Sequence, residues 1–336
     1  MAPSLNTRAV LVSRPVGPLT PENFRVEQVP CAEPADGEVL VEVHYIDVQP
    51  AMRGWTVERP AYTRPIELGG TMAAQGVGRV VVSRHPAWRE GDHVLGGNFG
   101  VQRYSVQRTE DLTRVDPELA PLQQYVGALG SSGLTGYFGM LEVGQARPGD
   151  VVVVSSAAGA VGSVAGQIGK ILGCRVVGIA GGAEKCAYLV DELGFDAALD
   201  YKAREPYRAL QELCPDGMDV YFDNVGGDLL DAAMLHLRSR ARVVISGMIS
   251  QYNAAVPAAG ARFYGMLLVR NARMEGFLVR EYAAQFPRAR GVIAQWVKEG
   301  RIKTREHVLD GIETFPAAVP MLFDGRSFGK LMIRAA

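Results

Sequence analysis

The sequence predicts an α/β protein in which a doubly wound parallel sheet follows a smaller, turn-rich β domain. Three observations predict it. Up to about residue 125 the chain consists of short β-like runs separated by turns bearing Pro and Gly. From Val151 onward, short apolar strands alternate with helical stretches, the texture of a parallel sheet covered on both faces. At 336 residues, the chain is also longer than one ordinary core of about 150 residues accommodates.

In order, the expected strands of the first part are Ala9–Ser13, Glu38–Ile46, Gly76–Ser83, His93–Gly96 and Gln102–Val106. The turns between them include Glu33-Pro34-Ala35-Asp36-Gly37 and Arg89-Glu90-Gly91-Asp92, so the unit reads as a compact barrel or sandwich. In the second part, Val151–Ser155 is a buried strand, Gly162–Leu172 a helix, Arg175–Ala180 a strand and Ala183–Leu193 a helix. Strands at Met218–Phe222, Ala241–Ser246 and Arg273–Leu278 follow, with helices near Glu205–Cys214, Leu229–Leu237 and Glu281–Glu299. A short helix, Thr314–Phe323, and a last strand, Gly329–Ile333, close the chain; that strand is placed to rejoin the first domain. The expected division is 1–126 with 301–336 for the β domain, and 127–300 for the α/β domain.

Composition narrows the function. Lys and Arg number 35 against 36 Asp and Glu, a net charge of −1, so the broad positive surface that holds nucleic acid or anionic lipid is not expected. The four cysteines, Cys31, Cys174, Cys186 and Cys214, have no C-x-x-C or zinc-finger spacing and read as reduced thiols, which points to the cytoplasm. Residues Met1–Val10 lack the layout of a signal peptide, and Val151–Gly169 carries polar residues and four glycines that suit a strand–turn–helix better than a membrane span. His44, His85, His93, His236 and His307 are scattered, and the sequence contains no H-E-x-x-H, G-x-S-x-G or Walker A pattern; no metal site is expected.

The sharpest local signal is the run Val151-Val152-Val153-Val154-Ser155-Ser156-Ala157-Ala158-Gly159-Ala160-Val161-Gly162. It sets an A-x-G-x-x-G turn between a buried strand and a helix, the context in which such a turn cradles the pyrophosphate of a dinucleotide. Gly159 lets backbone approach the phosphates, Gly162 lets the helix pack close to the strand, and the helix start offers unpaired N–H groups. Ala157 stands where the first Gly of the pattern usually sits. NAD-preferring versions carry an acid at the end of the second strand, but here Cys174–Ala180 runs into Gly181-Gly182. With no carboxylate at the ribose, and with Lys185 and Tyr201 as partners for a 2′-phosphate, the expected cofactor is NADP(H). Lys185 taken alone also fits a solvated lysine at a helix start.

Further motifs are Gly133-Leu134-Thr135-Gly136-Tyr137-Phe138-Gly139, Asp223-Asn224-Val225-Gly226-Gly227 and Gly247-Met248-Ile249-Ser250-Gln251-Tyr252-Asn253. With the domain order and Ala157–Gly162, they resemble the zinc-independent medium-chain dehydrogenase/reductases. Within these the chain resembles the leukotriene B4 dehydrogenase/prostaglandin reductase and 2-alkenal double-bond reductase family. The resemblance implies a GroES-like barrel plus a Rossmann domain, usually in a homodimer. It implies NADPH-dependent reduction of the C=C bond of α,β-unsaturated aldehydes or ketones. By the same resemblance, Gly159, Ala160, Val161 and Gly162 meet the pyrophosphate, Lys185 and Tyr201 the adenosine phosphate, and Asn224, Phe277, Leu278 and Val279 the nicotinamide side. Tyr252 faces the substrate.

Three departures stand out. The family's Asp-Pro-Tyr-Met-Arg reads Gln49-Pro50-Ala51-Met52-Arg53, so a substrate-side Tyr is missing. Its Asn-Leu-Gly-Lys reads Ser327-Phe328-Gly329-Lys330, which puts Ser327 in a cofactor-binding position, and Asn98-Phe99-Gly100 replaces the usual Trp. Met52, Arg53, Tyr62 and Phe99 are candidates for the substrate side, and equally for barrel core or surface.

Hydride delivered to the β-carbon of an enone leaves charge on the carbonyl oxygen, which calls for a donor there. Tyr252 or a ribose hydroxyl can supply it, and the α-carbon proton can come from water or Tyr252. As a bare residue Tyr252 also fits a loop tyrosine packed for area, but its place beyond the carboxyl end of Ala241–Ser246 is where such sheets bind ligands. Two alternatives remain at this level: an NADPH:quinone oxidoreductase, and a non-catalytic NADP(H)-binding sensor or structural protein. Phe263–Val269 and Arg273–Val279 could form an apolar edge for dimerisation or lie in the core.

Overall fold

A computed structural model describes residues 3–58, 64–254 and 260–336. The chain forms two compact units, Met1–Gly127 with Glu306–Ala336, and Ala128–Arg305. In the first, β1 (Leu5–Leu11) and β2 (Phe24–Pro30) pair antiparallel. A seven-stranded sheet holds β3 (Glu38–Asp47), β4 (Gly76–Ser83), β5 (His93–Gly96), β6 (Tyr104–Arg108) and β7 (Leu112–Arg114). All their pairings are antiparallel, and the long β3 contacts β4 on one side and β6 on the other. Its alternation buries Val39, Val41 and Val43 inward, against Phe24, Met52, Phe99 and Phe315.

The second unit carries β8 (Val151–Val154), β9 (Arg175–Ala180), β10 (Ala197–Asp200), β11 (Met218–Asp223), β12 (Leu237–Ile245) and β13 (Arg273–Gly276). All six are parallel in the order β10-β9-β8-β11-β12-β13. This is the doubly wound dinucleotide-binding order, whose winding reverses between β8 and β11. β8 is four valines, every one buried, because helices cover both faces of a central parallel strand. After this unit, β14 (Glu306–Asp310) and β15 (Lys330–Arg334) return to the first; the sequence placed the last strand there, and the structure pairs it antiparallel with β3.

Gly76–Ser83, His93–Gly96 and Arg175–Ala180 have the expected bounds. Other elements differ for physical reasons. The strand expected from Ala241 starts at Leu237, because the polar Arg238, Ser239 and Arg240 separate that buried leucine from the apolar run and hide the pattern. The long helix expected over Glu281–Glu299 is a 3₁₀ stretch, Val279–Gln285, then an α-helix, Phe286–Lys298, with Pro287 in its first turn. Helix Ser131–Phe138 went unforeseen because Gly133 and Gly136 give it poor intrinsic propensity. β2, β7, β10 and β14 were also unforeseen; β10 is four residues of Ala, Ala, Leu and Asp, a composition with no strand signature.

Candidate active site

At the switch point, β8 leads through Ser155 and Ser156 into helix Ala160–Ile171. Ser156 has φ of 49°, and the Ala157 N–H donates to Ile179 O at 2.9 Å, which ties the turn to β9. A Cβ on Gly162 would stand 2.5 Å from Ser156 O and 2.9 Å from Ala157 Cα, so only glycine lets the helix start this close to the turn. The substitution of Ala157 for the first Gly has a compensation. Its methyl lies 2.9 Å from where Gly178 would carry a Cβ, so β9 supplies the missing space. No side chain caps the helix, which leaves the first-turn N–H groups of Ala160, Val161 and Gly162 without intrahelical partners and aimed outward. Together with the helix dipole they make an anion site, and the residues present fit a dinucleotide pyrophosphate.

At the ribose end, β9 stops at Ala180 and Gly181-Gly182 follows. A carboxylate does arrive there, from Asp200 at the end of β10, but backbone engages it: Oδ1 accepts from Gly182 N at 2.9 Å and Lys202 N at 3.0 Å. These N–H donors hold its pKa below the usual carboxylate range. A Cβ on Gly181 would lie 2.9 Å from both the Tyr201 ring and the Lys202 Cε, so the two side chains converge over that glycine. Lys185 stands half-buried at the start of the next helix. Lys202 was not foreseen; its only signal was adjacency to Tyr201.

Across the switch point, Asp223 ends β11 almost wholly buried. Its Oδ1 accepts from the Ser155 hydroxyl at 2.9 Å, Val225 N at 2.9 Å and Gly226 N at 3.0 Å. Burial pushes its pKa up, against the pull of these donors. The wholly buried Tyr221 hydroxyl has no partner within hydrogen-bond geometry, and burial together with the nearby Asp223 charge raises its pKa. Asn224 donates from its backbone N to Ser155 Oγ at 2.8 Å and from Nδ2 to Ser155 O at 2.7 Å.

Tyr252 ends a one-turn helix, Ile249–Tyr252, beyond the carboxyl end of β12. Its hydroxyl accepts from Met248 N at 3.3 Å, and its own proton has no acceptor among the described residues. Burial raises its pKa, so the phenol stays protonated at neutral pH. Phe277, just past β13, approaches within 3.0 Å of the Cβ position of Gly139; Leu278 and Val279 follow half-buried. The structure thus gathers the turn, Asn224, Tyr252 and Phe277 along the carboxyl ends of one parallel sheet.

In the β unit, Met52 and Phe99 lie in the core, and Arg53, also buried, donates to Gly17 O at 2.7 Å. Phe99 fills the space left by Gly76 and Gly96, whose Cβ positions it would overlap. Ser327 is half-buried, and its backbone N donates to Met321 O at 3.3 Å. Tyr62 falls outside the described residues. Sequence reasoning missed a buried ion pair of Lys330 and Asp47, which ties β15 to the end of β3 just before Gln49–Arg53. Among the described residues no three His, Cys, Asp or Glu side chains come together as metal donors, and no helix is long and apolar enough to cross a membrane. Burial raises the pKa of all four thiols, that of Cys174 to about 11, which disfavours thiolate chemistry.

A dinucleotide turn at the switch point of a parallel sheet, in a chain with a separate, mostly antiparallel β unit, is the architecture of a pyridine-nucleotide oxidoreductase. A family described as the N-terminal domain of oxidoreductase matches residues 7–115, and one described as zinc-binding dehydrogenase matches residues 160–295. The chain is 40% identical to an NADPH-dependent curcumin reductase of Escherichia coli, over 98% of this chain and 97% of that one. It is 37% identical to prostaglandin reductase 1 of Mus musculus, over 94% and 95%. The crystal structure of CurA in complex with NADPH from Vibrio vulnificus matches with a TM-score of 0.93 and 37% identity, over 98% of this chain and 99% of that one. The chain belongs to the zinc-independent medium-chain dehydrogenase/reductases, in their alkenal and enone reductase branch.

Proposed function

We propose that this chain is an NADPH-dependent reductase of the C=C bond of α,β-unsaturated aldehydes and ketones. The observation that carries the reading is the open anion turn at Gly159–Gly162, combined with a ribose end at Gly181-Gly182 over which Tyr201 and Lys202 converge. That combination offers a lysine and a phenol to a phosphorylated ribose. The family relatives named above, a curcumin reductase and prostaglandin reductase 1, support the choice of enones.

When bound, the nicotinamide supplies hydride to the β-carbon. The chain's own residues do the rest. Ala160, Val161 and Gly162 N–H groups hold the pyrophosphate, and Lys185 and Tyr201, with Lys202, surround the 2′-phosphate. Tyr252, a phenol protonated at neutral pH, hydrogen-bonds the carbonyl oxygen as charge builds there, and the α-carbon of the resulting enolate takes its proton from water or from Tyr252. Asn224, Phe277, Leu278 and Val279 shape the nicotinamide side; Ser327 is a candidate cofactor-binding residue. Met52, Arg53 and Tyr62 are the candidates for the substrate side; of these, Met52 is packed in the core of the β unit and Arg53 is buried with its guanidinium on Gly17 O.

The test uses NADPH deuterated at C4, an enone, its saturated ketone and a quinone. Deuterium should appear at the β-carbon of the enone product. Deuterium at the carbonyl carbon, or oxidation with the quinone alone, would overturn the assignment. Tyr252→Phe should lower kcat by about tenfold or more while moving KM little; an unchanged kcat removes Tyr252 from the chemistry.

Two further statements belong to this reading. The chain acts in the cytoplasm, where its four unpaired thiols remain reduced. Two copies join through the β13 edge, whose four residues are all exposed. Tyr264 and Leu268 nearby are 69% and 88% exposed, an apolar flank that pairing of two such edges would cover. Light scattering should report a dimer, and a monomer at micromolar concentration would refute the pairing.

A further inference from the structure

A helix of four residues cannot hold its own shape in water, because nucleation costs more than its single turn returns. Ile249–Tyr252 is such a helix, and it carries the phenol on which the proposed chemistry turns. Its position must therefore come from outside. The structure shows from where. Ile249 N donates to Asn224 O at 3.2 Å, Ser250 N donates to Val225 O at 3.2 Å, and the Ser250 hydroxyl donates to that same Val225 O at 2.6 Å. The loop after β11 thus holds the first turn of the helix by two consecutive carbonyls, and Ser250 supplies the shortest of the three bonds.

That loop is itself immobilised from beneath. Asp223 collects the N–H groups of Val225 and Gly226, Ser155 binds both Asp223 and Asn224, and Asp223 O accepts from Ser246 N at 2.8 Å and Gly247 N at 3.1 Å. Room for the hydroxyl is built in: a Cβ on Gly227 would stand 3.0 Å from Ser250 Oγ, and Gly227 has φ of 58°. On the far side, the Tyr252 hydroxyl returns to Met248 N and closes the segment on itself. Hydrogen bonds therefore run from Ser155, at the head of the phosphate turn, through Asp223 and Val225 to Ser250, two residues before Tyr252 in the same helical turn.

We propose that Ser250 is a positioning residue for Tyr252, holding the phenol through the Val225 carbonyl at a fixed place relative to the cofactor turn. Ser250 touches neither cofactor nor substrate in this role, which rests on Tyr252 being the donor proposed above. Its hydroxyl is exposed at the start of a surface turn, so its removal leaves the core of the unit untouched.

The experiment is a cycle of Ser250→Ala, Tyr252→Phe and the double variant, read by kcat and KM for an enone and by NADPH affinity from fluorescence titration. Ser250→Ala should lower kcat by about fivefold to tenfold, the effect of one lost hydrogen bond, and leave NADPH affinity within about twofold. Ser250→Thr, which keeps the hydroxyl, should restore kcat. The double variant should be no slower than Tyr252→Phe alone, because a misplaced phenol and an absent one fail alike. Additive losses in the double variant, no rescue by Thr, or a kcat unchanged by Ser250→Ala while Tyr252→Phe is slow would each overturn the positioning role. A Tyr252→Phe variant as fast as wild type would instead overturn the donor assignment on which it rests.

Discussion

The two turns that flank the switch point share an outline and differ in what fills them. Each follows a central strand, each contains glycines at its bend, and each leads into a helix. After β8 the first-turn N–H groups point outward with no side chain to cap them. After β11 the loop N–H groups of Val225 and Gly226 already serve the Asp223 carboxylate, an anion that the chain itself supplies. Neither helix start has a side-chain cap, but the bend of the second turn already spends two N–H donors on an internal carboxylate and so places a negative charge where a phosphate would approach. The difference teaches that glycine content does not identify a phosphate cradle; the absence of an internal anion does.

The comparison can be broken at the open turn by adding a single methyl. Gly162→Ala places a Cβ 2.5 Å from Ser156 O, so the helix start must shift away from the turn. NADPH affinity should fall at least about tenfold, roughly 1.4 kcal/mol; a fluorescence titration matching wild type would show that this turn is not the cradle. The second turn should respond in the opposite way, tolerating the loss of a whole hydroxyl. Asp223 is already supplied with donors, and the buried Tyr221 hydroxyl makes no hydrogen bond beside it. Tyr221→Phe should leave the melting temperature unchanged or raise it by a few degrees, since no bond is lost and an unpaired buried hydroxyl is removed. A fall of several degrees, the signature of about 1–3 kcal/mol, would show that the hydroxyl does bind the carboxylate.

Much of this contrast was legible beforehand on one side only. Strand, turn and helix at Val151–Gly162 stand in a contiguous stretch, and local spacing carries their meaning. The same holds for Gly181-Gly182, where the lack of an acid can be read directly. Asp223 was visible only as part of an Asp-Asn-Val-Gly-Gly motif. Its task depends on Ser155, which is 68 residues away. Ala157 looked like a weakened match, and its compensation by Gly178 emerges only when β9 lies beside β8. Lys202 beside Gly181, and Lys330 paired with Asp47 across most of the chain, were equally invisible.

By itself, then, the sequence determined the periodicities, the two-part organisation, the phosphate turn and the missing ribose acid, because each depends on residues within one turn or strand of each other. Only the tertiary structure decided the strand order, the occupation of the second turn by Asp223, and the seating of Tyr252 through Ser250. These depend on distance in space, and chain folding brings together hydrogen-bonding groups that no local pattern relates.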